Sequence, residues 1–202
     1  MYLNKIKNIF ISAIIPLILY SLILLIFYNK NIDPILILRD INQTYNIPLG
    51  VGIISTIGII LWFSTGAILF FILFTNLIKN YRNKNYILFG AILTFILGID
   101  DLFLIHDRYI KEEYLYLFYI IFSGIYLIRF FQISKLYYFP SLIFSLSALG
   151  SSLIIDQFQS YSPFGYLNTQ IIEEGLKFIG ITFWFLYWLK TSKKFLIDIN
   201  RI

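Results

Sequence analysis

Residues 86–107 read YILFGAILTFILGIDDLFLIHD. The run is apolar over most of its length, and about 20 helical residues cross a hydrocarbon core of about 30 Å. Positions 86–106 are therefore expected to span a membrane. The closing decapeptide, GIDDLFLIHD at 98–107, holds Asp100, Asp101, Asp107 and His106, the only histidine of the chain. Ionisable groups at membrane depth are costly and face protein or a wet cavity, so this segment is a functional candidate by default.

Working outward, five more stretches are long and apolar enough to span: 9–28, 52–78, 114–131, 139–156 and 170–190. Of the 202 residues, 59% are hydrophobic and 13% charged. Soluble domains are about half apolar and about a quarter charged. The expected fold is all-α, a polytopic transmembrane bundle of about six helices forming a single domain over 1–202. The first decapeptide, MYLNKIKNIF, resembles the start of a signal peptide, but no small-residue cleavage site follows, so a retained first helix is expected. The absence of cysteine excludes disulfides, thiolate metal sites and a cysteine nucleophile.

Loop cations set the expected orientation. Lys5, Lys7, Lys79, Arg82, Lys84, Arg129, Lys135, Lys190, Lys193, Lys194 and Arg201 fall on one side. Lys30, Arg39, Arg108 and Lys111 fall on the other, and Lys177 lies inside the last span. This bias predicts cytoplasmic termini in a bacterial inner membrane. It also accounts for the cations without nucleic acid. Trp184, Tyr187 and Trp188 are then expected to form an aromatic belt near the inner end of the last span. Of the outer loops, 29–49 contains PILILRDI, a candidate interfacial helix. The other, 157–169, is uncharged and turn-rich, long enough to form a lid.

In this orientation the span 86–106 ends outward, 139–156 ends outward at Asp156, and 170–190 starts outward with QIIEEGLKFIG. From the helical rise, Asp100 lies about 9 Å below the outer boundary, Lys177 about 10 Å and Glu173 about 5 Å. Asp101 is turned about 100° from Asp100, and His106 reaches the cluster only if the helix end bends. The carboxylates outnumber the cations at this level, which calls for protonation, hydration or a bound cation. The expected metal ligands are Asp100, Asp101, His106, Asp156 and Glu173. Oxygen donors favour Mg, Mn or Ca, and one histidine admits Zn or Fe. Glu174 is the expected base and Lys177 the electrostatic stabiliser.

The spacing DD-x4-H-D on one helix followed by EE-x2-K on a later one resembles a family of small bacterial multi-pass membrane proteins with no assigned activity. The resemblance covers 86–190 and implies no reaction. The three-histidine zinc site of membrane hydrolases that resemble alkaline ceramidases cannot be transferred to a chain with one histidine.

The leading functional expectation is a metal-dependent hydrolase of a lipid-like substrate drawn from the membrane. The alternatives are a cation- or proton-linked transporter or channel subunit, and a non-catalytic partner, as a homodimer or within a larger membrane complex.

Overall fold

A computed structural model describes residues 14, 18, 20–33, 38, 45–48, 50–75, 78–159, 163 and 165–199, without the side chains of Asp107, Asp198 and Ile199. The chain forms two compact units, Met1–Val51 and Gly52–Ile202. In the first, residues 20–28 are helical. The rest of the expected span 9–28 and most of the expected interfacial helix 34–41 lie outside the described residues.

The second unit contains six helices and no strand among the described residues. They are α1 (Ile53–Phe74), α2 (Tyr81–Phe103), α3 (Ile105–Arg108), α4 (Glu112–Leu136), α5 (Phe139–Gln157) and α6 (Gly165–Ile199). Four of them, α1, α2, α4 and α5, are long and apolar enough to cross a membrane. The protein is an all-α polytopic bundle.

Local chemistry sets the ends. Asn80 caps α2 by accepting from the Arg82 N–H at 2.9 Å. Glu112 and Glu113 in the first turn of α4, and Lys135 in its last, complement the helix dipole. Pro140 enters α5 within its first turn, where no backbone donor is lost.

Three expectations are corrected here. The expected helix 86–106 breaks at Leu104, whose φ of 50° is left-handed, and His106 belongs to the separate α3. The last helix starts at Gly165, so 165–169 is helical and the expected lid loop is shorter. Trp184, Tyr187 and Trp188 form no interfacial belt. They are 1%, 0% and 0% exposed, because they fill the centre of the bundle.

That centre is aromatic. Tyr86 stacks on Tyr126 at 5.4 Å between ring centres and packs against Trp188 at 5.2 Å. Trp62 meets Trp184 edge-on at 6.3 Å. Rings this large fit between helices only where the facing residue is small. A Cβ on Gly90 would collide with the Trp188 ring. One on Gly180 would stand 2.6 Å from Leu149 Cγ and 3.0 Å from the Leu149 backbone nitrogen. At this same crossing of α5 and α6, Ser145 Oγ donates to the Gly180 carbonyl at 2.7 Å.

Candidate functional site

The site is built where α2 ends, α5 ends and α6 begins. The Leu104 N–H bonds the Asp100 carbonyl, which closes α2. The left-handed residue then turns the chain back, and the His106 N–H donates to Asp100 Oδ1 at 2.9 Å. The Asp100 side chain thus caps α3 across the break. The His106 ring follows, with Nδ1 also 2.9 Å from Asp100 Oδ1. From α4, the Tyr119 hydroxyl donates to Asp100 Oδ2 at 2.8 Å. Asp100 is 5% exposed, and two donors and the His106 ring converge on its carboxylate.

Asp101, one residue on, faces a different pair of helices. Its Oδ2 accepts from Trp62 Nε1 of α1 at 2.7 Å, and its Oδ1 pairs with Lys177 Nζ of α6 at 2.8 Å. The expected turn of about 100° between the two aspartates is therefore used to join α2 to α4 on one side and to α1 and α6 on the other. Farther round, the Tyr116 hydroxyl donates to Asp156 Oδ2. Glu173, 6% exposed, accepts from Gln170 Nε2 at 2.8 Å and from Ser152 Oγ at 3.4 Å. Gln159 Nε2 donates to Gln170 Oε1 at 2.7 Å, which ties the segment after α5 to the first turns of α6.

All of these groups border one cavity of about 570 Å3. Its chemistry is segregated along the helices. On α2 the lining runs Leu93, Leu97, then Asp100 and Asp101, and on α5 it runs Leu146, Leu149, then Ser152 and Asp156. On α4 and α6, which run the opposite way, the order reverses: Glu112, Tyr116, Tyr119, then Leu127, and Gln170, Glu173, Glu174, Lys177, then Trp184. The ionisable residues therefore gather at one end, with Leu104 and Leu153 among them, and the other end is mainly apolar. Two glycines help to keep the space open. Gly124 and Gly150 line the cavity, and a Cβ on either would meet nothing within 4 Å.

The seven residues expected from sequence, Asp100, Asp101, His106, Asp156, Glu173, Glu174 and Lys177, all line this cavity. The side chain of Asp107 is outside the described residues. Convergence on one ion is another matter. Among the described residues, no group of three or more histidines and carboxylates is arranged to hold a metal. Asp101 is directed to a lysine and an indole, and Asp100 to His106 and Tyr119. These oxygens are thus engaged by protein groups from neighbouring helices.

Sequence reasoning missed Trp62, Tyr116, Tyr119, Ser152, Gln159 and Gln170. A signal existed for two of them. Tyr116 and Tyr119 are three apart, hence neighbours on one face, at the end of α4 that follows the acids. Their hydroxyls needed acceptors, but so did those of fourteen other tyrosines among 16 in the chain.

A family model described as a domain of unknown function, DUF8692, matches residues 12–191, and the chain belongs to that family. No curated protein and no solved structure matches the chain.

Proposed function

We propose that this protein binds a lipid-like ester from the outer leaflet of a bacterial inner membrane and hydrolyses it. The observation that supports this reading is the axial division of the cavity into an end that holds the ionisable groups, read as its mouth, and a mainly apolar end, read as its floor. Its volume, about 570 Å3, falls within the 300–1,000 Å3 of small-molecule sites. An amphiphile places its head among Glu173, Glu174, His106 and Lys177, and its chain against Leu93, Leu97, Leu146 and Leu149. Lys177, fixed by Asp101, offers a positive charge to an oxygen that becomes negative during acyl transfer. Glu174 stands in the same mouth as a carboxylate available for proton transfer.

The test is release of fatty acid from monoolein by the protein in lipid nanodiscs, compared with Gly150→Phe, which fills the floor. Activity in the first and none in the second supports the reading, and equal activity contradicts it. The divalent ion suggested by the acid count is a separate proposal, tested by elemental analysis before and after a chelator. A stoichiometric ion whose removal abolishes monoolein release would replace the metal-free reading.

A specific observation favours a second reading. Asp100 and Asp101 together tie α1, α2, α3, α4 and α6 through side-chain bonds. A non-catalytic partner in a membrane complex needs such a cluster only to fix helix packing. In that case monoolein is neither bound nor cleaved, and the acid variants lose stability alone.

A further inference from the structure

We infer that the cavity opens sideways into the hydrocarbon between α4 and α5, and that the acyl chain of a membrane lipid enters through this seam, an inference that rests on the lipid-binding part of the reading above. The seams around the cavity differ in how they are closed. Between α2 and α4, Tyr119 bonds Asp100 at 2.8 Å, and further along the rings of Phe122 and Phe89 stand 5.9 Å apart and those of Tyr126 and Tyr86 5.4 Å apart. Between α5 and α6, Ser152 bonds Glu173, Ser145 bonds the Gly180 carbonyl, and the rings of Phe144 and Phe183 meet at 5.2 Å. The wall made by α2 and α6 is backed by α1, whose Trp62 bonds Asp101 and meets Trp184. The seam between α4 and α5 is pinned at its two ends. Tyr116 bonds Asp156 at one, and the rings of Phe131 and Phe139 meet at 5.6 Å beside the short connection at the other. Between these pins, among the described residues, no hydrogen bond or ring contact joins the two helices.

The residues along the open length keep the helices apart. On α4, Ile120, Ser123, Gly124 and Leu127 line the cavity. On α5, Leu146, Leu149, Gly150 and Leu153 do the same. Both sets recur at three, four and seven residues, which is one face of a helix, and each carries its glycine at the third place. Small residues in membrane helices commonly let backbones approach. Gly180 does so against Leu149, whereas a Cβ on Gly124 or Gly150 would meet nothing within 4 Å. Ile120 lines the cavity and is nevertheless 61% exposed, so the cavity wall continues onto the outer surface of the bundle.

Depth identifies the occupant. Both α4 and α5 are long and apolar enough to cross a membrane. The stretch from Tyr116 to Phe131 is about 22 Å long, most of a hydrocarbon core. A mainly apolar opening at that depth faces acyl chains. The Tyr116–Asp156 bond closes the seam at the end that holds the ionisable groups, so the chain enters between the pins and the head reaches Glu174 and Lys177 from inside the cavity.

The chain has no cysteine, so a single one can be placed in the seam. Ser123→Cys, carrying a bimane fluorophore, is reconstituted in nanodiscs of phospholipid with a nitroxide along its acyl chain, a quencher that acts at short range. Quenching is expected to match that at Ile128→Cys, a position 83% exposed on the same helix. Added monoolein is expected to relieve it saturably at position 123 and not at 128. Loss of quenching at 123 overturns the inference, because protein or water then fills the seam. So does quenching there that monoolein relieves no more than at 128. The unmodified protein decides the matter if the labelled variant does not fold. A monoacylglycerol with a diazirine in mid-chain is expected to attach within 120–127 and 146–153, and excess monoolein to suppress the attachment. Attachment confined to residues off the cavity, such as Ile128 and Phe144, overturns the inference. The hydrolase reading fails separately, by absence of fatty-acid release, since none of these measurements needs turnover.

Discussion

Asp100 and His106, six residues apart, meet twice: the backbone N–H and the ring Nδ1 of His106 each lie 2.9 Å from Asp100 Oδ1. A continuous helix cannot make this contact, because residues six apart point to different faces. Leu104 makes it possible by leaving the helical region for a single residue.

The first prediction follows from that residue. Leu104→Ile preserves composition and volume but adds β-branching, which the left-handed region tolerates poorly. It is expected to cost about 1–2 kcal/mol, read from unfolding in mixed micelles. Leu104→Asn, a residue that enters this region more readily, is expected to keep the histidine contact. Equal stability of the Ile variant and the wild type would mean that the turn is not under strain.

The pair of Asp101 and Lys177 gives the second. Their side chains are 12% and 25% exposed, so each is only partly solvated when its partner is removed. Asp101→Asn and Lys177→Met are each expected to cost about 1–3 kcal/mol. The double variant is expected to lose less than the sum, by about 1 kcal/mol or more. Strict additivity would show that the 2.8 Å contact carries no coupling.

Glycine packing gives the third. A methyl group on Gly180 collides with the side chain and backbone nitrogen of Leu149, so Gly180→Ala is expected to cost about 1–3 kcal/mol. Gly175→Ala, on the same helix with nothing within 4 Å, is expected to be neutral or mildly stabilising. The comparison cancels the effect of helix propensity. Equal effects would contradict the close crossing of α5 and α6.

Orientation gives the fourth. Lys84 and Lys111 are exposed at opposite ends of the helices, and the chain has no native cysteine. Lys111→Cys is expected to react with an impermeant thiol reagent from outside intact cells, and Lys84→Cys only after lysis. The reverse pattern would move the cavity mouth to the cytoplasmic side.

The bundle was legible because apolar run length is a direct consequence of bilayer thickness, and α1, α2, α4 and α5 fall on the expected spans within a few residues. The set of acids was legible because the alternating direction of the helices brings Asp100, Asp156 and Glu173 to one end. Their partners were not. Which tyrosine reaches which aspartate depends on helix rotation, and the apolar pattern of a helix surrounded by apolar groups leaves rotation unspecified. The break at Leu104 was hidden for a similar reason. The sequence DLFLIH contains no glycine or proline to mark it, and the turn is held instead by the Asp100 carboxylate. The tryptophans misled because an aromatic near a span end reads as a belt, whereas Gly90 admits Trp188 to the interior.

The central claim is that the cavity takes an acyl chain along its apolar floor. Trp62 and Trp184 border that cavity, and Trp188 is the only other tryptophan in the chain. A monoacylglycerol brominated along its chain quenches tryptophan by short-range contact. Titrated into protein in unbrominated nanodiscs, it is expected to quench saturably in the wild type and only weakly in Gly150→Phe. Non-saturating quenching of equal extent in both proteins would show partition into the surrounding lipid and contradict the account.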